Sequence, residues 1–228
     1  MSIGSFSELK KHSGALHIQV SDQDLKAFGE LSAWVPKAAA NAQRRAINKT
    51  LGWLRTHIAR TVGRQERIAV RAVRQRLLSY PAAGGATARG KLWFGLNPLE
   101  ASRAGRARQT IKGVSVAGRR YRGAFYKTVY GNQPGIWIRT ASKHFDRADY
   151  PDSDITTSKG ISFGWIAEHS DRHPLAKAKI SLASVRPHFE HWARKADERL
   201  LHILKQEVNF ELGKYVKRTQ RVRPAPKS

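Results

Sequence analysis

Residues 37–143 hold 23 Lys or Arg against two acids, Glu66 and Glu100, so this segment carries +21 of a formal net charge of +25. The 36 residues before it contribute −1 and the 85 after it +5. Like charges held in a folded domain repel one another, so function, assembly or a counter-charged neighbour is expected to maintain the concentration. Scattered positive charge would argue mainly for solubility. Charge packed across helices and a hairpin argues for a dense polyanion: DNA, RNA or an acidic protein surface.

The chain can build a core around this charge. Its 228 residues are 40% hydrophobic with six Trp, enough for one substantial domain or two small ones and too apolar for a disordered basic tail. The absence of Cys removes disulfides, Cys-based zinc sites and thiol catalysis, and fits assembly in a cytoplasm. No run of 18 apolar residues is present and the N-terminus lacks the apolar stretch of a signal peptide, so no membrane association is expected.

Periodicity places the elements. Leu16 to Val20 alternates as a short strand, and Ser21 with Asp22 and Asp24 opens a helix to about Ala33. From Pro36 to Val62, Ile47, Leu51, Leu54, Ile58 and Val62 form one apolar stripe, with Arg45, Lys49 and Arg60 on the opposite side. A second helix is expected over Glu66 to Ser79, with Arg64, Arg67, Arg71 and Arg74 along one face. Residues 91–96, 110–116, 121–129 and 135–140 read as strands, with Ala117-Gly118 as a hairpin turn. Residues 141–178 read as a long acid-containing loop or insertion, interrupted by an apolar Ile161 to Ala167. Lys179 to Val185 reads as a returning strand. Phe189, Trp192, Ala196, Leu200 and Ile203 mark a helix to about Val216, and 217–228 a loose basic tail. The expected fold class is α+β: N-terminal helices, a small mostly antiparallel sheet with a central hairpin, and a long C-terminal helix, in one domain over 1–216.

Three patterns suggest chemistry. Gly85 to Lys91 has the GxxxxGK spacing of a phosphate loop, but Leu92 follows the Lys and the exit reads as a strand, which favours a linker. Asp146, Asp149, Asp152 and Asp154 could hold magnesium for nuclease chemistry, with Asp152 or Asp154 as ligands. The acid-x-Lys half of such a signature is missing, and a solvated loop is the favoured reading. His188 and His191 share a helix face without a nearby third ligand, which favours packing or surface roles. No catalytic residues, cofactor or metal are therefore expected. Arg103, Arg106, Arg108, Lys112, Arg119, Arg120 and Arg122 crowd the hairpin with Tyr121, Phe125 and Tyr126 interleaved. That mixture can engage phosphate and stack on bases, or make bidentate pairs with carboxylates of a protein partner.

The stretch Gly105 to Thr140 resembles the phage minor tail protein Z family, tail-completion proteins of long-tailed phages. The resemblance is carried by Gln109-Thr110, Lys112-Gly113-Val114, Gly118-Arg119-Arg120, Gly123-Ala124-Phe125 and Ile136 to Arg139. Asn41 to Leu54 also looks like that family's N-terminal half, and overall similarity spans about 35–205; residues 143–178 depart from it. The resemblance implies a non-enzymatic structural protein at the head-proximal end of the tail, acting in head–tail joining. It further implies a homo-oligomeric ring, by analogy a hexamer, neighbouring head–tail connector and tail tube proteins, with genomic DNA in the lumen as a candidate partner. Its place would be the virion. The competing reading is a free nucleic-acid-binding protein without sequence preference, and behind it a metal-dependent nuclease.

Overall fold

The computed structural model describes residues 4–10, 13–19, 26–84, 88–129, 132–150 and 175–222. In chain order these form β1 (Gly4–Lys10), β2 (Ser13–Ile18), α1 (Lys26–Trp34), α2 (Pro36–Gln65), α3 (Val70–Arg76), β3 (Leu77–Tyr80) and β4 (Gly90–Gly95). There follow β5 (Leu99–Glu100), β6 (Arg108–Thr110), β7 (Gly113–Val116), β8 (Arg119–Arg122), β9 (Phe125–Lys127) and β10 (Gly135–Arg139). The last elements are β11 (Leu175–Lys177), β12 (Lys179–Ile180) and α4 (Arg186–Val222). The fold is α+β. The chain divides into two compact units, neither contiguous: 1–58, 77–94 and 187–228, then 59–76 and 95–186.

In the first unit, a four-stranded sheet of order β1-β2-β4-β3 meets the two long helices. Pro36 opens α2, where its fixed φ and missing N–H cost least. Ala39, Ala42, Ala46, Ile47, Leu51, Leu54 and Ile58 are all buried, as the apolar stripe requires. The helix comes so close to β4 that a Cβ on Gly90 would lie 2.5 Å from Ile47 Cγ2 and 2.7 Å from Leu51 Cδ1. On β4, Phe94 stacks on Phe189 of α4, ring centroids 6.1 Å apart. Beside them Trp53 and Trp192 meet edge-on at 5.3 Å, each in ring contact with His57.

The second unit holds the end of α2, α3 and three small antiparallel sheets of order β6-β7-β8, β11-β10-β9 and β12-β5. Ile136, Trp137 and Ile138 of β10 are all buried, as suits a strand paired on both sides. Arg67 ends α2: Ile68 donates back to the Gly63 carbonyl at 3.0 Å while Arg67 takes φ 52°. This is the closing pattern that glycine usually supplies.

Several boundaries differ from the sequence reading. The helix expected to reach Ser79 stops at Arg76, because Leu77–Tyr80 pair with Lys91–Phe94 and sheet hydrogen bonds displace helical ones. The strand expected over 110–116 folds back on itself at Ile111-Lys112, giving β6 and β7. Gly123, at φ 69°, splits the strand expected over 121–129. The strand expected over 179–185 shortens to β12 and ends in a 3₁₀ turn. Helix α4 continues six residues past Val216, through the first half of the supposed loose tail. The Ser21, Asp22 and Asp24 cap, the Ile161 to Ala167 strand and residues 223–228 lie outside the described residues.

The turn between β7 and β8 uses Ala117 (φ 52°) and Gly118 (φ 78°), the doubly left-handed geometry that matches strand twist. Gly113 is more demanding: at φ 138°, an added Cβ would sit 2.1 Å from the Tyr121 carbonyl oxygen. No rotamer relieves a clash with backbone, so Gly113→Ala should destabilise the chain by about 3 kcal/mol or more. Urea unfolding of the variant checks this, and an unchanged midpoint would contradict the geometry.

Candidate polyanion-binding face

Strands β6, β7 and β8 form a three-stranded ribbon whose register sorts its residues by face. Arg108 faces Ser115, which faces Arg120; Thr110 faces Gly113, which faces Arg122. Because paired residues share a face and faces alternate along a strand, all six lie on one side. The other side carries Gln109, Val114 and Tyr121, then Val116 opposite Arg119. Val114, Val116 and Tyr121 are buried there. The ribbon therefore shows the core its apolar face and turns outward a face of Arg, Thr, Ser and Gly.

Small residues on the central strand make that outer face concave. A cleft of about 1020 Å³ opens over it, lined by Thr110 to Ser115, Arg120 to Gly123 and His144. Arg108, Lys112, Arg120 and Arg122 are exposed, and among the described residues no acid pairs with them. The sequence contains no Asp or Glu between residues 101 and 145. Ile111 stands fully exposed at the tip.

Gln109 ties this ribbon to its neighbour. Its amide nitrogen lies 3.1, 3.3 and 3.4 Å from the carbonyls of Thr110, Gly113 and Ala124, among which its two hydrogens are shared. Its oxygen accepts from the Tyr126 N–H at 2.6 Å, linking β6 to β9. Tyr121 anchors the buried face: its ring meets Tyr150 edge-on at 6.2 Å. Burial, reinforced by Asp149, pushes its phenol up to about 12. It is thus a core residue, whereas Tyr126 is exposed.

The fourteen cations singled out from the sequence divide unevenly. Arg60, Arg64, Arg67, Arg71, Arg74, Arg103, Arg106, Arg108, Lys112, Arg119, Arg120 and Arg122 all belong to the second unit. Within that set, Arg103 bonds Gln75 Oε1 at 2.5 Å and Arg67 packs on the β7–β8 turn, 2.9 Å from where a Gly118 Cβ would stand. Arg119 is half-buried. Crowding is measurable at Arg76, whose guanidinium is pushed below its ordinary value by burial and then by Arg103.

Arg45 and Lys49 have a different role, inside the first unit. Arg45 bonds Glu207 and Glu211 of α4, each at 2.5 Å, and Lys49 bonds the other oxygen of Glu207. The Arg45 guanidinium also lies over the Phe210 ring. Burial alone would push the Glu207 carboxyl up, but the hydrogen bonds from Lys49 and Arg45 outweigh it and hold it below the usual carboxylate range.

The other sequence candidates do not converge. Asp146 accepts from the Ala148 N–H at 2.9 Å as a local turn, and burial and then Asp146 raise the Asp149 carboxyl. Asp152 and Asp154 lie outside the described residues. His191 meets the edge of Trp192. Among the described residues no three His, Cys, Asp or Glu gather as a metal site. The linker Gly85 to Lys91, described from residue 88 on, leads into strand β4 rather than a helix. No described helix is long and apolar enough to cross a membrane. The groove residues Thr110, Gly113, Ser115 and His144 escaped the sequence reading, which weighed charge; the alternation of Arg120 and Arg122 about buried Tyr121 is the signal that locates them. Comparison with protein-family models, curated proteins and solved structures returns no match.

The acid cluster has a measurable consequence. Glu207 is nearly fully buried, so Glu207→Gln leaves Lys49 beside a neutral group and Arg45 with Glu211 as its remaining carboxylate. Breaking a buried pair costs about 3–5 kcal/mol, and partial exposure of both cations reduces the expectation to about 2 kcal/mol at pH 7. A depressed folded pKa stabilises above the unfolded value, about 4.3, and that contribution is lost as pH falls through the folded value. The gap between wild type and variant, followed by urea unfolding, should therefore close below that point. A gap independent of pH would contradict the ion-pair account.

Proposed function

We propose that the chain is a structural tail-completion protein of a long-tailed phage, acting where tail and filled head join. Copies would form a ring, by analogy a hexamer, between connector and tail tube proteins, with the virion as its location. The observation that carries this reading is the outward face of the ribbon, an acid-free array of Arg and Lys presented by the same segment that resembles the tail protein Z family. Its neighbours at such a junction are polyanions on either side: DNA in the channel and acidic surfaces of adjacent proteins. The reading assigns the chain no catalytic group.

The same exposed cations also favour a second reading, a free nucleic-acid-binding protein without sequence preference. The two differ in where the chain is found and what it restores. In a lysate lacking this chain, the junction reading expects filled heads and separate tails, and added purified chain should join them. It also expects the chain in purified particles, near the head end of the tail by labelled electron microscopy. Joined particles without the chain, or a chain absent from the particles, would remove the junction reading and leave the free DNA-binding one.

A further inference from the structure

We infer that the groove on the outer face of the ribbon is a seat for a phosphodiester backbone, held without reading of bases. The inference rests on the proposed role of the ribbon as the partner-facing element, and names the partner. Gly113 and Ser115 form the floor, on the middle strand. Arg120 and Arg122 form one wall, Arg108 and Thr110 the other. With strands about 4.8 Å apart, the walls stand about 10 Å from each other, room for one extended chain lying along β7. A duplex would present one of its strands to the groove.

Charge and spacing favour phosphate over carboxylate-bearing protein. Arg120 and Arg122 recur every two residues, about 6.8 Å, a spacing comparable to that of neighbouring phosphates along one extended strand. Lys112 and His144 add donors at the open end of the cleft. A protein-docking cleft needs apolar contact area at its centre. Here the side chains turned into the groove are Thr, Ser and Arg over a Gly, with the exposed Ile111 and His144 on its border; Val114 and Tyr121, which also border the cleft, are buried on the opposite face. Base recognition would need rings or amides aimed between the walls. The ribbon's own aromatic there, Tyr121, is locked in the core. Between the walls stand cations and hydroxyls over a glycine, suited to phosphate oxygens, with Ile111 at the tip.

A chain of this net charge will attract DNA to some degree wherever its cations lie, so the test compares positions. Binding of the full-length chain to a labelled mixed-sequence duplex and to oligo(dT) is followed by fluorescence anisotropy at increasing salt. Arg120→Gln with Arg122→Gln removes two wall cations; Arg60→Gln with Arg64→Gln removes the same charge from α2. Each neutralised phosphate adds about 0.9 to the logarithmic salt slope on duplex and about 0.7 on single strand. The wall variant should lower the duplex slope by about 1.8, and the α2 variant by well under half of that. Ser115→Glu, which places a carboxylate on the floor between Arg108 and Arg120, should also weaken binding at least tenfold while keeping its melting temperature. A·T-rich and G·C-rich duplexes should bind alike.

Equal loss from the wall and α2 variants would overturn the inference, since binding would then follow overall charge. Preference for one base composition would overturn it too. So would polyglutamate displacing DNA at a lower charge concentration than competing DNA does, because the groove would then be a seat for acidic protein. A steeper loss on oligo(dT) than on duplex identifies single strands as the occupant, and the reverse identifies duplex; both support a phosphodiester seat. These outcomes are separate from the head–tail reading, which stands or falls on whether the unaltered chain restores joining.

Discussion

Self-repulsion among some two dozen cations is the constraint around which this chain is arranged. Helix α2 must bury an apolar stripe while bearing Arg44, Arg45 and Lys49 within one and a half turns. Bringing α4 against it supplies apolar partners and, at Glu207 and Glu211, two carboxylates that meet Arg45 and Lys49. Packing and neutralisation are thus achieved by one helix pair. Buried ion pairs seldom exceed well-packed apolar contacts in net worth. Their value here is relative to the alternative of two cations facing each other without counter-charge.

The second unit solves the same problem differently. It exports its charge. Among its described residues Glu100 bonds Lys177 at 2.7 Å, and Glu66 accepts from Ser184. The ribbon cations are set on an exposed face where water screens them, while Val114, Val116 and Tyr121 hold the other face to the core. A two-residue period does this with no extra chain. The consequence is a protein in which Arg45 and Lys49 of the first unit meet carboxylates of their own unit, while the ribbon of the second turns its cations outward.

How much of this could be read from the sequence depends on which force set each element. The α2 stripe and the α4 stripe were legible because burial at helical spacing decides both, and Ala117-Gly118 because a left-handed turn requires such residues. Leu77–Tyr80 was not legible as strand: so short a run, Leu-Leu-Ser-Tyr, fits a helix end equally well, and only its pairing with Lys91–Phe94 decides. The fold-back at Ile111-Lys112 carries no Asn-Gly or Gly-Gly signature, and depends instead on Gly113 reaching φ 138°. Counting cations located the ribbon but could not sort Arg45 from Arg120. That distinction rests on Glu207, which lies 162 residues from Arg45.

The ribbon also has an unusual economy of chain. Arg108 to Arg122 contains all three strands, so every pairing within it closes a loop of fewer than fifteen residues. Such loops close at low entropic cost and fast, whereas β10 must wait for Leu175–Lys177 to pair across more than thirty residues. The charged face is therefore expected to be shaped before the sheet that supports it, with amides of Val114 and Tyr121 protected from exchange ahead of that of Ile138. An element so local can lengthen, shorten or change its charges in evolution while the long-range pairings around it stay as they are.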